Sequence, residues 1–144
     1  MDEKDDFDVQ FFLPYLLNQA SEVASDGFQK IYKDRYGMLR TDWRVLFHLG
    51  IYGRMTARDI GRMAQVHKTK ISRAVARLET RRFLLREEDA ADRRVEHLTL
   101  TSAGQAAYRD LRGVARNYEA RLVAGLDPQD VVALRRALLH LSGR

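Results

Sequence analysis

Cations, rather than paired catalytic groups, are the reactive side chains that cluster in this 144-residue chain. Between Arg54 and Arg86 stand ten basic residues (Arg54, Arg58, Arg62, Lys68, Lys70, Arg73, Arg77, Arg81, Arg82 and Arg86) against two acidic ones, Asp59 and Glu79. The whole chain has a formal charge of only +5, so the basic charge is local and the remainder is net acidic. Within that window, at about 100° per residue, Ile71, Ala74, Val75 and Leu78 fall on one face of a helix. Thr69, Ser72, Arg73 and Ala76 project from the other side, with Lys70 and Arg77 on its flank. One face packs and the other is free to read something. Lys68, Lys70, Arg73 and Arg77 suit phosphates or guanine edges, because arginine offers a planar pair of donors matching O6 and N7, while Thr69 and Ser72 serve either contact. Arg73 is the first candidate for reading a base. Its alternative is an ion pair with an acidic residue such as Asp92. The plain alternative for the whole run is a solvated basic surface.

Other chemistries find no constellation. With no cysteine there is no disulfide framework, thiolate metal site or cysteine nucleophile. His48, His67, His97 and His140 lack metal-ligand spacing, so no metal is expected. There is no phosphate-binding glycine loop, nucleophile elbow or isolated carboxylate pair, so neither an enzyme nor a cofactor is expected. Tyr15, Trp43 and Tyr52 are read as core aromatics rather than ligand contacts. The start Met1-Asp2-Glu3-Lys4-Asp5-Asp6 is acidic where a secretory signal is basic, and no apolar run approaches the roughly 20 residues that span a bilayer. A cytoplasmic protein without membrane contact is the expectation. A composition of 45% hydrophobic and 31% charged residues with two prolines suits a soluble, largely helical chain.

The elements that must position the cations follow from periodicity. Pro14 suits a first helical turn, and Leu16, Leu17, Ala20, Val23, Ala24, Phe28, Ile31 and Tyr32 recur at three- and four-residue steps, predicting a helix over 13–36 closed by Gly37. Thr41 or Asp42 caps a second, apolar helix through Ile51, ended by Gly53. Thr56 with Asp59 opens a short helix holding Ile60 and Met63. Ala64-Gln65-Val66 is a turn into a fourth helix over about 67–81. From Phe83 the period changes to strand-like, through a charged tip from Glu87 to Arg94, and back along Val95–Leu100. Thr101 or Ser102 caps a helix over about 102–124, and Asp127-Pro128 opens a last one carrying Leu134, Leu138 and Leu141. The predicted fold is mainly α with a small β-hairpin, in the order ααααββαα.

Short helix, turn, basic helix and hairpin in succession make a winged helix-turn-helix, whose second helix enters the major groove of duplex DNA. At this level the chain resembles the MarR family of transcriptional regulators over essentially its whole length. Leu39-Arg40-Thr41-Asp42-Trp43-Arg44-Val45-Leu46 is similar to the family's lead into its second helix, and Lys68–Glu79 to its recognition helix. Asp89-Ala90-Ala91-Asp92-Arg93-Arg94 and Leu98-Thr99-Leu100-Thr101-Ser102-Ala103-Gly104 resemble its wing and the wing-to-helix signature. Two departures stand out. Thr69-Lys70 replaces a pair of small hydroxyl residues, and Arg81-Arg82-Phe83 lacks the glycine usual before the first wing strand.

The resemblance implies the D-x-R wing motif at Asp92 and Arg94, with Asp92 bracing and an arginine entering the minor groove. Arg93 is the substitute for Arg94. It also implies a homodimer, and three amphipathic helices outside a small winged domain carry more apolar stripe than one such domain covers. Leu16, Val23, Leu111, Tyr118, Leu134 and Leu138 are expected to bury across two chains. The expected division is an N-terminal dimerisation helix (1–40), a DNA-binding domain (41–101) and C-terminal dimerisation helices (102–144). The function implied is a regulator, most often a repressor, on a pseudo-palindromic operator, released by a small anionic aromatic effector for which Trp43, Arg44 and His48 are candidates. The rival from another class is a winged-helix protein–protein interaction module whose basic helix meets an acidic partner.

Overall fold

The computed structural model describes residues 6–144. The acidic start Met1–Asp5 therefore lies outside the described residues. A 3-10 turn at Val9–Phe11 leads into α1, Leu13–Tyr36. Pro14 stands in its first turn, where a missing N–H costs nothing. Gly37, at φ +62, ends the helix in the left-handed region, and its N–H donates back to the Lys33 carbonyl. The helix α2 (Arg40–Tyr52) follows, then β1 (Met55–Thr56), α3 (Ala57–Ala64), α4 (Lys68–Thr80), β2 (Leu84–Glu88), β3 (Glu96–Leu100), α5 (Ser102–Leu122) and α6 (Pro128–Leu141).

The fold is the predicted one with an added strand. β1 pairs antiparallel with β3 (Met55 opposite Leu98) and makes a three-stranded sheet in the order β1-β3-β2, where periodicity shows only a hairpin. A second correction concerns the start of α2. The cap position is Leu39, neither Thr41 nor Asp42. The Asp42 carboxylate instead sits in the first turn and accepts the Leu39 N–H at 2.9 Å. Thr101, not Ser102, caps α5 by accepting the Gly104 N–H at 3.0 Å. Gly104 is required there, because a Cβ would lie 2.0 Å from the Phe83 carbonyl oxygen at the foot of the wing.

The core joins α1 to α5 and the sheet around Tyr32, Met38, Leu46, Leu49, Ile60, Leu78, Leu84, Leu98 and Leu111. Phe28 stacks edge-on to both Tyr32 and Trp43, and Trp43 to Phe47, so Trp43 is a core aromatic as expected. Tyr15 and Tyr52 are not: both side chains are exposed at the ends of their helices. Of the six residues expected to bury across two chains, Leu111 is instead fully buried within its own chain, and the Tyr118 hydroxyl donates to the Ala24 carbonyl at 2.5 Å. Through Leu111 and Tyr118 the α5 stripe turns inward to α1 and α2, while Leu122 at its end stays exposed. Leu16, Val23, Leu134 and Leu138 remain exposed, and α6 buries none of its residues.

Candidate nucleic-acid interface

Two caps fix the helix-turn-helix. Thr56 Oγ1 accepts the Asp59 N–H at 3.1 Å and starts α3. Gln65, at φ +55, closes it and swings the chain round. His67 then caps α4, its Nδ1 accepting the Thr69 N–H at 3.2 Å, which leaves Nε2 as the ring's donor. With the start fixed, the helical period buries Ile71, Ala74, Val75 and Leu78 and leaves Lys68, Thr69, Lys70, Ser72 and Arg73 exposed. Among the described residues the side chains of Lys68, Lys70 and Arg73 make no ion pair or hydrogen bond. Arg58 and Arg62 of α3 join Lys68, Thr69, Ser72 and Arg73 around a groove of about 740 Å³. This concave cationic face offers donors for phosphates and base edges, with no acidic side chain in its lining.

Arg77 is not part of that face. Its Nε lies 2.9 and 3.1 Å from the two Asp42 carboxylate oxygens and its Nη2 lies 2.7 Å from Oδ1. The Asp42 carboxylate is buried, and a buried carboxylate is tolerated only when paired and hydrogen-bonded. Arg77 therefore ties α4 to α2, whereas its position on the flank of α4 had suggested a DNA contact. The signal in the sequence was Asp42 itself, the sole acid in the apolar α2.

The wing is held by charge at its base. Arg86 on β2 bridges Glu79 of α4 at 3.1 Å and Glu96 of β3 at 3.2 Å. Arg54 reaches Glu87 at 3.8 Å, and His97 faces Asp89 at 4.0 Å. At the tip, Asp92 Oδ1 accepts both the backbone N–H of Arg94 (3.0 Å) and its Nε–H (3.1 Å), while Oδ2 accepts from Nη2 at 3.3 Å. The Arg94 side chain and then its backbone N–H hold the Asp92 carboxyl below the usual carboxylate range. Arg94 is braced by Asp92 through both its backbone and its guanidinium, yet its side chain is 91% exposed. Asp92 thus pairs with Arg94 and not with Arg73, so the alternative role for Arg73 is not the one adopted. Arg93 is exposed beside it. Where the family pattern has a glycine, Arg82 takes φ +63 and turns the chain into β2.

Of the three residues read as effector contacts, two come together. Trp43 and Arg44 line a cavity of about 170 Å³ with Phe28 and Tyr32 of α1, Arg40 of α2 and Tyr118 of α5. His48 does not reach it: its Nδ1–H donates to the Arg44 carbonyl at 2.6 Å and its ring lies against Tyr52. One turn along α2, the imidazole satisfies itself on its own helix. Arg40, Tyr32 and Tyr118 were missed because three different helices supply the wall, and no spacing within one element reports it. Among the described residues no three His, Asp or Glu side chains gather as metal ligands, and no helix is long and apolar enough to cross a membrane.

Fold and site together define a winged helix-turn-helix protein with a cationic second helix and an arginine-tipped wing. Residues 36–95 match the sequence model of the MarR family, the family that the chain's motifs resemble. It is 26% identical over 134 residues to the HTH-type transcriptional regulator YwoH of Bacillus subtilis (strain 168), covering 92% of this chain and 93% of that protein. A match to YwaE of the same organism, 25% identical over 91 residues, takes in 63% of this chain and 53%, about half, of that protein. Among solved structures, the MarR family transcriptional regulator SPO1453 from Silicibacter pomeroyi DSS-3 is 29% identical with a TM-score of 0.80, over 94% of this chain and 98% of that one. Bordetella bronchiseptica BpsR, whose DNA binding is regulated by 6-hydroxynicotinic acid, superposes with a TM-score of 0.88 over 96% of this chain and 98% of that one at 24% identity. The proteins matched are transcriptional regulators rather than enzymes.

Proposed function

We propose that this chain is a sequence-specific regulator of transcription that binds duplex DNA as a homodimer, inserting α4 into the major groove and the wing tip into the minor groove. The observation that carries the reading is the split of α4 into a buried apolar face and an exposed face whose cations Lys68, Lys70 and Arg73 have no partner among the described residues. In such a face Arg73 reads a base edge, Lys68, Thr69, Lys70 and Ser72 position the helix, and Arg94, with Arg93 beside it, follows the narrow minor groove. Residues 41–101 form the DNA-binding part, and 1–40 with 102–144 the dimerising part. The unburied apolar side chains of α1 and α6 support that division, since a solvated helix does not carry such a stripe.

The sign is repression, with release by a small aromatic anion in the α1–α2–α5 cavity. Aromatic walls and two arginines suit a flat ring bearing a carboxylate. BpsR, of the same fold, responds to such an acid. Filter binding to random-sequence duplex at increasing salt tests the main reading against a protein–protein module. A DNA binder gives a linear fall of log K with log salt through counterion release. Binding that is absent at low salt contradicts it.

A further inference from the structure

A second cationic cleft lies beside the first, on the other side of the α4 N-terminus. It has a volume of about 270 Å³ and is lined by Arg40, Thr41 and Arg44 of α2, by Gln65, Val66 and His67 of the turn, and by Lys70 of α4. No carboxylate lines it. Among the described residues Arg40 pairs with Glu22 at 3.7 Å, the arginine half-buried and the carboxylate exposed, a contact worth little against a phosphate. Arg44 leans over the Trp43 ring with its guanidinium carbon 5.9 Å from the centroid and has no ion pair among the described residues. Lys70 is likewise unpaired among them. His67 spends Nδ1 on capping α4, so in its neutral form its remaining nitrogen is a donor. The cleft is thus walled by cations from two helices and a turn, with the Thr41 hydroxyl beside them and the Gln65 amide already donating to the Ser142 carbonyl at 3.0 Å, and its two arginines also line the α1–α2–α5 cavity.

We propose that this cleft seats a backbone phosphate of the bound duplex, clamped by Arg40, Arg44 and Lys70 just outside the major groove that α4 occupies. The inference rests on the DNA-binding reading above. A recognition helix enters the groove by its N-terminal end, which brings the flanking phosphates to the turn that precedes it. A phosphodiester matches a cleft walled by cations and free of carboxylates, and arginine binds it in a two-pronged way. The clamp would fix the register of α4 without reading sequence, leaving base choice to Arg73.

The test measures log K against log salt on a bound duplex and on a scrambled one, for the native chain and for Arg44→Gln, Arg40→Gln and Arg44→Lys. The expected result is that each glutamine variant lowers affinity about equally on both duplexes and makes the salt slope shallower by about one. Arg44→Lys should keep the slope. Thermal midpoints near the native value in at least one glutamine variant make the comparison valid, since Arg40 and Arg44 stand on different turns of α2. A native slope retained in both folded variants overturns the proposal. So does saturation of the cleft by inorganic phosphate, read by chemical-shift changes at His67 and Lys70, if the duplex slope stays untouched, because the cleft would then serve a free anion. If the native chain itself binds no duplex, the failure belongs to the DNA reading and not to the clamp.

Discussion

Arg73 and Arg77 stand one turn apart on α4 and do different work, which makes them the sharpest pair for mutation. Arg77→Ala strands the buried Asp42 carboxylate with only the Leu39 N–H, and should destabilise the chain by about 2–4 kcal/mol in urea unfolding. Arg73→Ala removes no internal contact and should change stability by no more than about 0.5 kcal/mol, while costing about 1–3 kcal/mol of binding on the specific site. If the two variants unfold alike, the tie between α4 and α2 is not what holds Arg77. Arg94→Ala should weaken binding most where the flanks are A·T-rich, a dependence visible by comparing two duplexes that differ only there. At Arg82 the backbone carries a left-handed conformation that glycine adopts freely, so Arg82→Gly should raise stability by about 0.5–1 kcal/mol despite the greater freedom of the unfolded chain. An unchanged denaturation midpoint would show that the turn bears no such strain. The missing glycine was legible in the sequence, and the structure supplies its consequence. Arg77 was misread because a position on the flank of a helix is decided by its neighbour, and Asp42 lies 35 residues away in the chain.

At the scale of elements, the helices were legible wherever a punctuating residue met an apolar period. Pro14 and Gly37 bracket α1 at Leu13–Tyr36, and Asp127 caps α6 by accepting the Gln129 N–H at 2.9 Å. β1 was not legible, because two residues carry no alternation and exist as a strand only through their pairing with Leu98 and His97. The contact between the end of α1 and α5 was equally hidden. There Asp110 accepts from Arg35 Nη1 at 2.9 Å and from the Tyr36 hydroxyl at 2.6 Å, joining residues more than 70 apart. Burial and then the bond to Asp110 push the Tyr36 phenol from 10.0 up to about 12. Tyr36 thus holds its proton more tightly folded than unfolded, so its stabilisation is complete below pH 10 and is lost as pH rises towards about 12. The matching shift at Asp110 is downward, through its bonds to Tyr36 and Arg35, so that contribution is present above the ordinary carboxylate value and fades as acid titrates it. Urea midpoints for native chain and Tyr36→Phe should therefore converge as pH rises from 10 to 12. A gap that stays constant over that range would show that the hydroxyl bond does not contribute.

Among the described residues most of the exposed large apolar side chains lie on α1 with the segment before it and on α6, while Leu39, Ile51, Tyr52, Leu85, Leu122 and Leu126 are exposed elsewhere. Val23 is 78% exposed and Leu141 59%, while α6 is held to its own chain chiefly by Arg135 on Glu119 at 2.9 Å and by contacts of its tail with Gln65 and Met63. Burial of these stripes between two copies predicts sedimentation near twice the 16.7 kDa chain mass at micromolar concentration. Leu134→Glu with Leu138→Glu should shift it towards the monomer. A native chain that stays monomeric would remove the symmetry from the proposed operator. The excess of apolar stripe was legible, but not residue by residue, since periodicity cannot say whether Leu111 faces its own core or a second one. Selection of bound duplexes from a random library decides whether α4 reads duplex DNA in two symmetry-related copies. The predicted result is a two-fold consensus with half-sites about one helical turn, ~10 bp, apart, blurred at one position per half-site when Arg73→Ala is used in place of the native chain. An asymmetric consensus, or none, would contradict it.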